Sequence, residues 1–394
     1  MTRYDVVVVG GRVAGASTAL LLARGGLRVA LLDRGAYGTD TLSTHALMRP
    51  AVLQLSRWGL LEEVRAAGTP PVRRTTFHYD DVAPVPVSIR PSPGVDALYA
   101  PRRHLLDRIL VDAAAAAGVD VRHGTTVTGL LRDSGDGPVT GVRTAQHGDV
   151  RAALTIGADG VRSVVAQQAG APVLHRGTAA GAVLYQHVTG SRPTGYEWAW
   201  ANHAAAGLIP TNDDQACLFV STAPERLRAL RRAGTQAALD ALVADMPASF
   251  RDLVAGAQPA GRLHGWSGVP GLVRRPWGPG WALVGDAGYF KDPITAHGIT
   301  DALRDAELLA DATLDTFAGR PQAVAMSCYQ AIRTALSRQL LAVTEHVAGY
   351  AWDSEEVRGL LRQVSASMSD ELEHLEARGS TLPAPRHLTD PWVA

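Results

Sequence analysis

The run Tyr4–Val9 (YDVVVV), followed at once by Gly10-Gly11-Arg12-Val13-Ala14-Gly15, constrains the fold more than anything else in the chain. A short β-branched run without polar alternation reads as a strand buried on both faces, the signature of a parallel sheet. Residues 15–24 then read as a helix stopped by Gly25-Gly26, residues 27–32 as a second strand, and Asp33 closes it. This is a βαβ unit of the dinucleotide-binding kind. In such a unit the first glycine makes the turn, the second admits a pyrophosphate, and the third lets helix and strand pack closely. Arg12 stands in the second glycine's place, so it is expected either to touch a phosphate or to be a solvated surface arginine. Asp33 lies eighteen residues beyond Gly15, where a carboxylate can hold ribose hydroxyls.

A second feature sits in the last third of the chain. The apolar run Trp281–Val284 stops at Gly285-Asp286-Ala287-Gly288-Tyr289-Phe290-Lys291-Asp292-Pro293, and His297-Gly298-Ile299 then opens a long amphipathic segment. A strand that ends at Gly-Asp exposes one carboxylate to ligand hydroxyls. A turn that feeds a helix aims free N–H groups and the positive end of a dipole at whatever lies above. Two further pieces are weak alone: Arg103 and Asp107 at the start of a helix, and the tight turn Gly157-Ala158-Asp159-Gly160. Together these features point to a flavin dinucleotide rather than to any nucleotide.

Bulk properties narrow the class. At 394 residues the chain is long enough for two domains or more. Its formal charge is zero, so neither nucleic acid nor an anionic membrane is an expected partner. Lys291 is the single lysine among 38 basic residues. Two cysteines, Cys217 and Cys328, argue against a disulfide framework or a sulfur metal site, and no metal is expected. With no leader-like start and no apolar run approaching 18 residues, the expectation is a cytoplasmic protein.

The expected class is α/β (α+β overall): a nucleotide-binding domain interleaved with a β-rich substrate domain, plus C-terminal helices. Residues 1–71, 100–172 and 276–319 are assigned to the first, 72–99 and 173–275 to the second, and 320–394 to the helical segment. Residues 125–156 read as an antiparallel meander, 299–316 and 322–378 as helical, and the proline-rich tail from Thr381 as extended.

The ordered set GGRVAG, RxxLD, GADGxxS and GDA…P…G resembles the FAD-dependent monooxygenases of the p-hydroxybenzoate hydroxylase type, and their relatives the flavin halogenases and geranylgeranyl reductases. The resemblance spans residues 4 to about 316 and implies a Rossmann-like FAD-binding domain of the GR2 type. It implies FAD contacts from Gly10, Gly11, Arg12, Ala14, Gly15, Asp33, Arg34, Arg103, Val127, Asp159, Gly285, Asp286, Pro293, Gly298 and Ile299. Among these, Asp33 would bind ribose, Asp286 the ribityl chain, and Pro293 with Gly298-Ile299 the isoalloxazine ring. It also implies oxygenation of a small, aromatic or polycyclic substrate through a peroxyflavin. NAD(P)H would bind transiently, or a separate flavin reductase would supply electrons.

The sequence departs from the hydroxylases at Gly285-Asp-Ala-Gly-Tyr289, at Ala296-His-Gly-Ile-Thr300 and at Ala166, which leaves a carbon–carbon reductase or dehydrogenase as the rival reading. Halogenases need a substrate-domain lysine, and Lys291 lies in the flavin loop instead, so halogenation ranks low. A FAD-binding protein without turnover is the remaining class. Candidate catalytic residues are His45, His297 and Tyr289; candidate pocket residues are His78, Tyr185, His187, Trp198, Trp200 and Trp266. For Trp198 and Trp200, same-face packing in a strand is the preferred alternative. The C-terminal helices fit a monomer or a homodimer equally.

Overall fold

The computed structural model describes residues 4–41, 43 and 45–379. Thr44 of the Ser43-Thr44-His45 loop and the tail expected to be extended lie outside the described residues.

The opening βαβ unit forms because Val6, Val7, Val8 and Val9 can be buried on both faces of one strand. That strand, Tyr4–Val9, lies between Val29–Leu32 and Gly148–Gly157, parallel to both. Asp120–Arg122 extends the sheet beyond Val29–Leu32, and Trp281–Leu283 joins the far side of Gly148–Gly157. Residues 127–157 run as three antiparallel strands whose last member enters this sheet. Register has a direct consequence. Val9 pairs with Gly157, and Gly157 with Leu283. The glycine turn, the Ala158-Asp159 turn and Gly285-Asp286 therefore leave the sheet at one edge, the carboxyl edge where open α/β sheets bind ligands.

The second sheet is mostly antiparallel, in the order Gln258–Pro259, Ala182–Thr189, Ala216–Thr222, Ala204–Pro210, Tyr196–Ala201, Arg74–Tyr79, Val85–Ser88, with His264–Trp266 also on Ala182–Thr189. Side chains alternate across it. One face carries Tyr185, Cys217, Phe219, Trp198 and Trp200. The other carries Leu184, Leu208, Leu218 and Val220, and is covered by Leu227, Leu239, Leu242 and Phe250 from the helical stretch 224–254.

The helix Gly298–Phe317 packs on Val13–Arg24. Residues 322–378 are not one helical run: Gln322–Val347 and Ser354–Arg378 are separated by a break in which Tyr350 adopts φ 51°. Asp353 restarts the chain, accepting hydrogen bonds from Glu355 and Glu356 N–H while the Glu356 side chain caps back. The break lets Tyr350 and Trp352 pack into the aromatic face of the second sheet.

Three helices meet around Arg304, which is fully buried. Its Nε and Nη2 donate to Asp305 (3.0 and 2.7 Å), Nη1 to Asp301 (2.8 Å) and Glu371 (3.0 Å), and Nη2 also to Ser337 (3.1 Å). All five guanidinium N–H groups are thereby used. Lys291 forms a buried ion pair with Asp301. Removing Arg304 would leave buried Asp305 without its cation and Asp301 and Glu371 with one partner fewer. Arg304→Met is expected to cost about 3–5 kcal/mol, read as a lowered urea midpoint against Asp315→Asn, a change at an exposed ion pair, as control.

Candidate active site

The glycine turn is built for close approach. A Cβ on Gly10, which has φ 103°, would lie 2.4 Å from Ala158 O, and one on Gly15 would lie 1.8 Å from Gly10 O. Gly285, at φ 57°, packs over Ala14, so the two glycine motifs touch. Asp33 accepts the N–H of Gly11 (2.5 Å) and of Gly35 (2.6 Å). Arg34 is exposed next to it. A cleft here is lined by Gly11, Arg12, Asp33, Tyr37, Asp107 and His123. Arg12 and Arg103 both bind Asp107, Arg12 at 2.8 Å, and Arg12 also reaches Thr39 O. Asp107, quoted in the sequence only as part of a motif, is thus the anchor that orients both arginines.

The flavin-loop residues split into two groups. Asp286, Pro293 and Gly298 are exposed, and a Cβ on Gly298 would meet nothing within 4 Å. Asp286 is open to solvent, yet desolvation by surrounding protein lifts its carboxyl to about 6 against the pull of Lys291 and Arg103. A side chain with both properties opens into a deep cleft. The first-turn N–H groups of Gly298–Phe317 have no intrahelical partner, and His297 supplies no side-chain cap. Ile299 is half-buried beside them. This donor set fits a flavin: glycines at the pyrophosphate turns, carboxylates at the two sugar positions, and open N–H groups where the ring's anionic edge would lie.

Three expectations need correction, and each fails because the side chain is spent elsewhere. His297 is buried and donates Nε2–H to Glu371 at 2.5 Å. Tyr289 is buried, with its hydroxyl directed at Ser337 O (3.4 Å) and Lys291 and Arg304 over its ring. Neither opens into the cleft. His78 lies on the helix-covered face of the second sheet, against Ser249 (2.9 Å), Glu197 (3.1 Å) and Phe250. Its neighbours Phe77 and Tyr79 pack with the aromatic face, and the period-two alternation of the strand turns His78, between them, away.

Two cofactor assignments also change. The Asp159 carboxylate accepts Ser163 Oγ–H (2.5 Å) and Val164 N–H (2.7 Å), capping the Val164–Gln168 helix instead of facing the cleft. Val127 is buried in the core beneath the antiparallel strands, with Val139, Val142 and Val165.

The remaining pocket candidates share the aromatic face. Tyr185 stacks on His264, with ring centroids 5.0 Å apart. Trp198 donates Nε1–H to Thr75 (2.8 Å) and packs edge-on to Phe219. Trp200 packs on Trp352, and the indole N–H groups of Trp200 and Trp266 have no hydrogen-bond partner among the described residues. His45, in the left-handed region at φ 69° and fully buried, meets His187 with Nε2 atoms 2.9 Å apart. Burial pushes both imidazoles down, His187 to about 4. Cys217 lies opposite His187 in the sheet register, its thiol pushed up to about 12 by burial.

The fold and the two glycine motifs on one sheet edge define a flavin-dependent oxidoreductase. A FAD binding domain family model matches residues 3–344, and the chain belongs to that family. It is 28% identical to menaquinone reductase of Mycolicibacterium smegmatis, over 79% of this chain and 76% of the relative. It is 26% identical to digeranylgeranylglycerophospholipid reductase of Methanocella arvoryzae (86% and 85%) and 27% to aklavinone 12-hydroxylase of Streptomyces peucetius (88% and 74%). The fold is shared with the flavin-dependent brominase Bmp2 (TM-score 0.78, 19% identity, 96% of this chain and 100% of that one). It is shared too with PqsL, a probable FAD-dependent monooxygenase of Pseudomonas aeruginosa (0.79, 22%, 92% and 100%). The protein is an enzyme that uses FAD, and among the described residues no helix is long and apolar enough to cross a membrane.

Two outcomes follow from this geometry. Asp286→Ala is expected to weaken FAD retention roughly 10- to 100-fold, the worth of hydrogen bonds to a charged group, measured by flavin fluorescence on titrating apoprotein. Asp292 is buried, accepts N–H from Gly181 (2.6 Å) and Ile294 (3.0 Å), and is raised by burial from 3.8 to about 6. Between those values the folded state binds more protons than the unfolded one, so stability falls as pH rises from 4 to 6. The slope is up to about 1.4 kcal/mol per pH unit, and Asp292→Asn should flatten it in urea melts across that window.

Proposed function

We propose that the protein is a monooxygenase. It would hydroxylate or otherwise oxygenate a small, aromatic or polycyclic molecule, with NAD(P)H as electron donor. The observation that carries this reading is the face formed by Tyr185, Trp198, Phe219 and Trp266, against which the loop after the second strand delivers His45. Flat aromatic walls with few polar groups suit a flat apolar ligand. Bound FAD would accept hydride and activate oxygen. The chain's own part is to hold the cofactor and to exclude water behind the aromatic wall. The alignment with aklavinone 12-hydroxylase over 88% of this chain supports the same reading.

A reductase acting on carbon–carbon bonds is the second reading. It is favoured by the two reductase relatives, as similar as the hydroxylase, and by the departure from the hydroxylase pattern at Gly285–Tyr289. Halogenation has less support, because the single lysine is buried against Asp301 and not on the substrate sheet.

The test is an oxygen electrode with anaerobic controls. Oxygenation requires NADH or NADPH to bleach the flavin, faster with a productive aromatic present, and one oxygen consumed per product. Product formed anaerobically from reduced enzyme, without oxygen uptake, would replace this reading with the reductase. Flavin that neither nucleotide bleaches, but a separate reductase does, would move the electron source to a partner.

A further inference from the structure

Two buried clusters gather histidine with other donor groups: His297, Asp301 and Glu371, and His45, His187 and Cys217. Lys291 and Arg304 pair with the carboxylates of the first, and the imidazoles of the second meet each other at Nε2. A third set of polar contacts lies at the carboxyl edge of the first sheet. It is made by arginine, and it joins segments that leave the sheet on the cofactor side.

Three turns meet at that edge: residues 10–15, 158–161 and 285–288. Two of their contacts depend on a missing side chain. A Cβ on Gly10 would lie 2.4 Å from Ala158 O, and one on Gly285 would lie 2.8 Å from the Ala14 Cβ. The first turn thus touches both others through bare backbone. The remaining side of the triangle joins 158–161 to 285–288, and one side chain spans it. Arg274 Nη1 donates to Ala287 O at 2.7 Å, and its Nη2 donates to Val161 O at 3.1 Å. The two terminal nitrogens are spent on carbonyls of two different turns, not on a carboxylate.

The position of Arg274 follows from register. The strand Leu272–Arg274 runs antiparallel to Tyr289–Phe290, with Leu272 opposite Phe290 and Val273 opposite Tyr289. One step further, the Arg274 N–H donates to Gly288 O at 2.9 Å. Backbone and side chain of one residue therefore hold the two successive carbonyls that follow Asp286. Buried Arg333, on the helix Gln322–Val347, donates Nη2–H to Arg274 O at 3.1 Å and holds this strand from behind. Arg274 itself is half-buried, repelled by Arg176 and attracted by Asp159.

We propose that Arg274 is a positioning residue for the cofactor: it fixes the span between the Asp159 turn and the Asp286 turn, and so aims the Asp286 carboxylate at the ribityl chain of FAD. A guanidinium suits this task because its planar fork presents N–H groups at a fixed separation, whereas an ammonium donates from a single point. The span matters to a ligand that reaches the third turn. FAD does so through its ribityl chain; ADP has none. The inference rests on FAD binding and not on the reaction, so it holds for an oxygenase and a reductase alike.

The test compares the full-length, FAD-loaded protein with Arg274→Met, Arg274→Lys and Arg275→Met. Arg275 is the next residue, is exposed and lies over the Trp277 ring at 4.8 Å, so its variant controls for the loss of a neighbouring charge. FAD affinity is read from the fluorescence of flavin released on dilution, and ADP affinity from its competition with FAD. Arg274→Met is expected to raise the Kd for FAD about tenfold or more, the worth of hydrogen bonds to a charged group, and to leave that for ADP within about twofold. Arg274→Lys should lose most of the same affinity, because charge without the fork does not span two carbonyls. The visible circular dichroism of the bound flavin should change in both variants and stay the same in Arg275→Met. Should Arg274→Met not fold, Arg274→Lys, which keeps the stem and the charge, carries the comparison alone. Unchanged FAD affinity in the Arg274 variants, an equal loss of FAD and ADP binding, or full recovery in Arg274→Lys would each overturn the proposal. An equal loss would make the residue merely structural, and full recovery would make it a point charge. No turnover enters these readouts, so they stand apart from the test of oxygenation.

Discussion

The position of the flavin loop depends on a buried knot of charge. Arg304 lies on the helix whose first turn faces the cleft, and its guanidinium ties that helix to Ser337 and Glu371 on the two C-terminal helices. Glu371 also receives His297, the residue before the helix, and Asp301 receives Lys291 from the loop. Each member is costly alone and tolerable only because the others are present. The knot cannot form until three helices and one loop have all docked. That makes it a specificity device: it fixes one arrangement of Gly285–Ile299 rather than adding much net stability.

This explains where sequence reasoning reached and where it stopped. The βαβ unit, the glycine turns and the aromatic strands were legible because each depends on residues a few positions apart, and backbone sterics dictate the outcome. His297 and Tyr289 were assigned to catalysis because of their place beside Gly298 and Asp286. Their partners, Glu371 and Ser337, come from helices far along the chain, and nothing local marks those positions. His78 was a different failure: the alternation of Phe77, His78 and Tyr79 held the answer, and only its application was missing. The break at residues 348–353 was likewise signalled locally, by Gly349 and by Asp353 with Glu356 three residues on.

The two histidine clusters show why residue type alone does not locate function. Both are buried, and both combine histidine with other titratable groups. In the Glu371 cluster cations and anions alternate and the arginine donors are all used, while His297 Nδ1 and Asp305 Oδ2 are buried without a hydrogen-bond partner among the described residues. In the His45 cluster burial holds both imidazoles toward the neutral form, no ion pair ties them, and His45 Nδ1 is likewise without a partner among the described residues. Charge compensation, which needs coordinates, is what separates the two clusters: His297 is tied into a set of paired charges and His45 meets only another imidazole.

Backbone strain is distributed in the same sense. His45, Ala296 and Tyr350 are non-glycine residues with positive φ, at 69°, 49° and 51°. They come from the loop after the second strand, the turn before the cleft helix, and the break between the C-terminal helices. Ala296 and Tyr350 belong to the aromatic cluster of the second sheet, and His45 abuts it through His187. Such conformations persist only where surrounding structure over-determines them. Here the surrounding structure is the charge knot on one side and the close-packed sheets on the other. The rigid parts therefore hold three strained segments against one aromatic wall, fixed by packing from both sides.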